Sequence, residues 1–157
     1  MNKTIQRGKA GGAITAPPSK SYAQRAVAAA LLCKGETTLT NMILCNDTRA
    51  ALQVAADLGA SISSDGNTYT IRGGLNPKCA SLNIGESGLA TRLFTPITAL
   101  CDKEITLSGT GSIMKRPIAM MEGPLNALGA HTSSNDGYLP IRICGPMHGG
   151  NITVDGS

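Results

Sequence analysis

The sequence predicts a mixed α/β protein of the α+β type, built from repeated β-α-β-α-β-β units, two of them present and a third cut off. Three observations predict it. LGASISSDGNTYTIRG, from Leu58, and LGAHTSSNDGYLPIRICG, from Leu128, share Leu-Gly-Ala, a β-prone run, Ser-Ser, an Asp/Asn/Gly turn and an Ile-Arg run, 70 residues apart. Upstream, APPSKSYAQR (16–25) lies over NIGESGLATR (83–92) at an offset of 67. Apolar helix-like segments also alternate with short runs of period two.

Each element has a local reason. Unit one (about 12–73) and unit two (about 80–145) each open with a short strand, about 12–16 and about 80–84. Helices over about 20–33 and 87–100 follow, apolar at most positions, as buried helices are. The runs ETTLTNMIL and EITLSG alternate polar with apolar and read as strands. Asp47 is a plausible N-cap for a second helix, Thr48 to Leu58, and Pro117 suits the first turn of its counterpart, Pro117 to Leu128. Gly59 and Gly129 stop these helices, and the turns at 65–67 and 135–137 carry hairpin signals. NITVDGS, at 150–157 with Gly150, reads as the first strand of a third unit. A unit cut off there predicts that the chain is a piece of a longer protein.

Composition narrows the function. Charged residues make up 15% and aromatics 3%, so Ala, Leu, Ile, Val and Met must build the core. The net charge of +4 comes from scattered lysines and arginines, without the clusters and base-stacking aromatics of a nucleic-acid binder. Five cysteines form no CxxC pair and sit mostly in apolar segments, as small hydrophobes in a reducing compartment. No apolar run approaches the roughly 20 residues that cross a bilayer. A cytoplasmic protein without a metal site is expected.

Three stretches could carry chemistry. In PPSKSYAQR, Ser19 is a reasonable N-cap, placing Lys20 and Ser21 in a first turn and Arg25 one turn on. Unpaired N–H groups and the helix dipole favour anions there, so cations at that end are mildly unfavourable unless an anion lies between them. A solvated basic helix start competes evenly with an anion site. In NIGESGLATR, Gly85 and Gly88 bracket a turn before a helix bearing Arg92; a glycine-rich cap competes with a ligand loop there, and Glu86 could be a cap or a ligand group. In GTGSIMKRPIAM, Lys115 and Arg116 again precede a helix. Such loops at equivalent ends of stacked units converge on one side, which favours an anion-binding surface. Asp47 and Arg49 belong to a fourth such loop, where Asp47 suits capping better than catalysis. His131 and His148 lack partners at ligand or triad spacing and are assigned to structure or surface.

Taken in order, PPSKSYAQRA, CNDTRAAL, GESGLATRL, MKRPI and GGNITVDGS resemble the enolpyruvyl transferase family across nearly the whole chain. The resemblance implies an inside-out α/β barrel of three units per lobe, with 1–157 part of the amino-terminal lobe of a two-lobed enzyme and the active site between lobes. It is strongest to members that transfer the enolpyruvyl group of phosphoenolpyruvate to the 5-hydroxyl of shikimate 3-phosphate, on the route to chorismate. It implies a monomeric parent and no cofactor. By position, Lys20 would contact phosphoenolpyruvate and handle protons, while Ser21 and Arg25 would bind shikimate 3-phosphate. Gly88 and Arg116 would hold phosphoenolpyruvate or the inhibitor glyphosate, with Asp47 and Arg92 supporting. Glu86 stands where many members have Asn, Leu89 where many have Thr, and Ser112 where some have Arg. The family's Ser-Ser-Gln motif and second-lobe residues are not in the chain, so little turnover is expected of it alone, with self-association open. The alternatives are a UDP-N-acetylglucosamine enolpyruvyl transferase, which typically has Lys-Asn at Lys20-Ser21 and a cysteine in the 110–116 loop, and a non-catalytic anion-binding module.

Overall fold

Small aliphatic residues run together in the helices and alternate in the strands, and the chain folds around both patterns. The computed structural model describes residues 3–154 apart from Ile5 and Ala10. The first half holds α1 (Lys20–Leu32), β1 (Glu36–Leu39), α2 (Asn46–Asp57), β2 (Ser61–Asp65) and β3 (Thr68–Arg72). The second holds β4 (Ser81–Asn83), α3 (Gly88–Thr98), β5 (Ile105–Ser108), α4 (Glu122–Ala127), β6 (His131–Asn135) and β7 (Tyr138–Cys144). Two 3-10 turns, Gly111–Lys115 and Ala119–Met121, lie between β5 and α4.

These strands make two sheets. In the first, β3 lies between β1 and β2, antiparallel to both. The second runs β4-β5-β7-β6, with β4 parallel to β5 and the other pairs antiparallel. Each sheet buries alternate residues: Tyr69 and Ile71 in β3, and Leu139, Ile141 and Ile143 in β7. The helices α1, α2 and α3 pack on one another and on the sheets' buried faces. Their contacts use Ala23, Ala30, Ala51, Ala55 and Ala90 beside Leu31 and Phe94, so the backbones can approach closely.

After each hairpin, the chain doubles back across the carboxyl ends of its two helices. In the first half, the Gly74 N–H donates to the Leu31 carbonyl and the Asn76 N–H to the Leu58 carbonyl, both at 2.8 Å. In the second, the Met147 N–H donates to the Ala99 carbonyl and the His148 N–H to the Leu128 carbonyl, both at 2.7 Å. Carbonyls that a helix end leaves unpaired are thereby satisfied. Glycine permits the crossing: a Cβ on Gly73 would meet the Ala30 carbonyl, and one on Gly145 the Ala99 carbonyl. Gly59 and Gly129 stop α2 and α4 at positive φ, 126° and 90°, and both hairpins form as expected.

Several expectations are corrected. The segment 12–16 is not a strand; none of the described strands lies beside it, and Ile14 is 96% exposed. Asn151–Val154 is not a strand either, and Ile152 and Val154 lie on an apolar groove with Met121 and Leu125; the remainder of that expected strand, 155–157, lies outside the described residues. The run ETTLTNMIL is a strand only to Leu39, because Asn41 turns the backbone to φ 56°. The helix expected over 117–128 spans only Glu122–Ala127. A helix running through from Pro117 would set the Pro124 ring against the carbonyl four residues earlier and lose that hydrogen bond. Asp47 is not an N-cap, since α2 starts at Asn46 with Cys45 as cap, where the Cys45 N–H donates to the Thr48 hydroxyl at 2.9 Å. Of the cysteines only Cys101 is buried, and Cys33 and Cys79 are exposed.

The two glycine crossings give a test. Gly73→Ala and Gly145→Ala should each lower stability by roughly 3 kcal/mol or more, because the neighbouring atoms are backbone and cannot move aside cheaply. Gly123→Ala, where a Cβ meets nothing within 4 Å, should leave the urea midpoint almost unchanged. Equal midpoints for all three variants would remove the crossing as a constraint.

Candidate functional site

Three helix starts meet at one pocket. Ser19 caps α1, its hydroxyl accepting the Tyr22 N–H at 3.3 Å, and Ser87 caps α3, accepting the Ala90 N–H at 3.1 Å. The N–H groups of Lys20, Ser21, Gly88 and Leu89 precede any carbonyl that their own helix could offer. The first turn of α2 brings Asp47 alongside. The pocket has a volume of about 460 Å³, and its lining includes Lys20, Ser21, Asp47, Gly88, Arg92 and Arg116.

The charges are unevenly satisfied. The Lys20 ammonium donates to the Asp47 carboxylate at 2.8 Å, with the lysine side chain 62% exposed and the aspartate 20%. That hydrogen bond, and then the charge behind it, hold the Lys20 amine above its ordinary 10.5. The Glu86 carboxylate accepts the Ser112 N–H at 3.1 Å and lies against Gly111, anchoring the 3-10 turn that leads to Arg116. The guanidinium Nη1 atoms of Arg92 and Arg116 each stand 3.4 Å from where a Gly88 Cβ would be. Arg92 also donates to the Gly88 carbonyl at 3.1 Å, and Arg25 makes the equivalent bond to the Ser21 carbonyl at 3.2 Å. Among the described residues, Arg25, Arg92 and Arg116 have no carboxylate within ion-pair distance. The pocket therefore combines helix-terminal N–H groups with unneutralised guanidinium groups.

Of the seven residues to which the family resemblance assigns a role, all but Arg25 line this pocket: Lys20, Ser21, Asp47, Gly88, Arg92 and Arg116. Arg25 is exposed one turn along α1. Lys115 turns away to a second hollow with Asp136 and Tyr138, and Arg49 to a groove with Asn83 and Tyr69. His131 is exposed where β6 starts, and the His148 ring lies against Gly129. Two pocket residues were missed, Gln24 and Ser87. The available signal was Gln24 itself, one polar side chain on the buried face of an alanine-rich helix. The Cys45 thiol, beside the Lys20–Asp47 pair, is pushed up by partial burial, but hydrogen bonds from Thr48 and the Asp47 N–H outweigh this and set it below its ordinary 9.0. Among the described residues no His, Cys, Asp and Glu group could hold a metal ion, and no helix is long and apolar enough to cross a membrane.

Comparison with known proteins decides the family. Residues 5–157 match the model of EPSP synthase (3-phosphoshikimate 1-carboxyvinyltransferase). The chain belongs to the EPSP synthase family. It is 31% identical to the 3-phosphoshikimate 1-carboxyvinyltransferase of Nitrosopumilus maritimus, over 100% of this chain and 38% of that protein. The Deinococcus radiodurans protein of that name is 36% identical, over 91% of this chain and 33% of its own. Among solved structures, the EPSP synthase of Acinetobacter baumannii superposes with a TM-score of 0.79 at 29% identity, covering 87% of this chain and 32% of that one. The enolpyruvyl transferase NikO of Streptomyces tendae, at 14% identity, TM-score 0.56 and coverage of 85% and 32%, shares the fold. The chain thus spans about a third of the length of these curated relatives, 38% and 33%, whose printed name is that of a transferase. The enolpyruvyl transferase resemblance and the mixed α/β class expected from the repeat are borne out.

The Lys20–Asp47 contact predicts a pH effect. A lysine raised by folding stabilises the fold fully below its ordinary 10.5, and that contribution is lost as pH climbs through the higher folded value. Asp47→Asn should bring the Lys20 titration, followed by NMR at the side chain, back toward 10.5. An unmoved midpoint would exclude Asp47 as the cause.

Proposed function

We propose that this chain builds one wall of a site that transfers the enolpyruvyl group of phosphoenolpyruvate to the 5-hydroxyl of shikimate 3-phosphate. The observation that carries this reading is the convergence of three helix starts with Lys20, Arg92 and Arg116 on one pocket. Each start bears about half a positive charge. Three of them side by side repel until an anion lies between them. Both substrates carry phosphate, and phosphate is also the leaving group.

The chemistry assigns roles in this reading. A proton adds to the methylene carbon of phosphoenolpyruvate while the 5-hydroxyl attacks its C2 and gives up its own proton. Loss of phosphate and of one methyl proton then restores the carbon–carbon double bond in the product enol ether. Lys20, kept protonated by Asp47, neutralises phosphoenolpyruvate and handles a proton. Gly88 leaves room for a ligand beside Arg92 and Arg116, where charge-assisted hydrogen bonds hold its anionic groups. Ser21 and Arg25 take the phosphate of shikimate 3-phosphate. Ser21 after Lys20, and a 110–116 loop without cysteine, favour this over the UDP-N-acetylglucosamine reaction.

In this reading residues 1–157 are part of the amino-terminal lobe of a two-lobed, monomeric, cytoplasmic enzyme, and the second wall stands on the other lobe. The coverage of 38% and 33% of the relatives supports the part of this reading in which the matching region is one portion of a longer enzyme. NMR titration with shikimate 3-phosphate should shift the amides of Ser21 and Gly88, whereas UDP-N-acetylglucosamine should not. Lys20→Ala combined with Arg25→Ala should weaken binding tenfold or more, as roughly 1.5–3 kcal/mol per charged hydrogen bond implies. Binding that survives the double substitution would sink the assignment. A coupled phosphate-release assay on the chain alone should read near background; near-normal rates would refute the need for a second wall.

A further inference from the structure

Gln24 is 1% exposed and Ser87 4%, and they meet across 63 residues of sequence where α1 approaches α3. The Ser87 hydroxyl has a single proton, and it is donated to Gln24 Oε1 at 2.6 Å. Its oxygen meanwhile accepts the Ala90 N–H, as the cap of α3. The Gln24 amide donates from Nε2 to the Lys20 carbonyl at 3.3 Å. This orientation of the amide is the one the network allows: reversed, Oε1 would face the Lys20 carbonyl, acceptor against acceptor.

We propose that Gln24 and Ser87 are a positioning pair that sets the spacing between the α1 start, with Lys20, and the α3 start, with Gly88. The proposal rests on the reading of the pocket as an anion site. Apolar packing resists separation of two helices but resists sliding along their axes only weakly, because small side chains offer shallow ridges. A directed hydrogen bond at one end stops that slide. Ser87 is the residue before Gly88, and Gln24 holds the carbonyl of Lys20, so one link governs both sides of the pocket. Buried polar pairs of this kind are costly when half satisfied, and here each polar atom of the two side chains has at least one partner in one arrangement. The pair also joins the two repeats, one partner coming from each.

The test uses the full chain and phosphoenolpyruvate as the probe, with affinity read by NMR titration and folding by urea denaturation. Gln24→Met keeps length and bulk without the hydrogen bonds, Ser87→Ala removes the hydroxyl, and the double variant removes both. Each single variant should remain folded and bind phosphoenolpyruvate about tenfold more weakly, and the double no more weakly than either. Ser87→Thr, which keeps the hydroxyl, should recover affinity. A merely structural role would lower the urea midpoint while the folded protein bound as before. Single variants that bind like the unsubstituted chain, or losses that multiply in the double, overturn the pair alone. An unsubstituted chain that does not bind phosphoenolpyruvate overturns both the pair and the anion-site reading. If Ser87→Ala does not fold, Gln24→Met decides, since it leaves the cap of α3 in place.

Discussion

The pocket depends on how the chain ties the carboxyl ends of its helices together. The segments 74–76 and 147–148 each bridge two helices by main-chain hydrogen bonds, and glycine lets them pass close enough to do so. Holding α1 and α2 at their carboxyl ends sends both amino ends the same way, and there Lys20 meets Asp47. Gln24 and Ser87 then bring the start of α3 to the same place. Parallel helix dipoles oppose such an arrangement, so their alignment has to be imposed by the backbone ties and by packing. Positive potential at the starts follows from the way the repeat is tied, before any side chain is counted.

The two repeats then divide the work at that end. The same bond, from an arginine to the carbonyl four residues earlier, recurs as Arg25 to Ser21 and Arg92 to Gly88. What differs is the residue at the turn. The first repeat puts a lysine and a hydroxyl there and supplies charge. The second puts a glycine there, giving the approach that a Cβ beside two guanidinium groups would narrow. Duplication explains the shared scaffold, and divergence at two or three positions explains two kinds of contact within one pocket.

Much of this was legible in the sequence because it was written twice. The helix stops at Gly59 and Gly129, the hairpins and the anion loops all recur at nearly constant offsets. The misreadings have physical causes. Strands at 12–16 and 151–154 have suitable composition, but a strand needs a neighbour to hydrogen-bond, and composition does not say whether one is there. Pro117 looked like a helix start until Pro124 is weighed, seven residues on. Gln24 and Ser87 are far apart in sequence and unremarkable singly; only the approach of α1 to α3 gives them meaning.

Glu86 shows how a carboxylate can stand in an anion pocket without spoiling it. Placed just before the cap of α3, a free negative charge would be drawn to the same N–H groups as a ligand and would compete for them. The Ser112 N–H and the bare face of Gly111 take the carboxylate the other way. Its charge is thereby used to hold the 110–116 turn, and that turn delivers Arg116 to within reach of Gly88. A neutral side chain at 86 could accept the same N–H bond, but without the charge-assisted strength that keeps a glycine-bearing loop in one conformation. The carboxylate therefore acts on the pocket through the arginine that its loop carries.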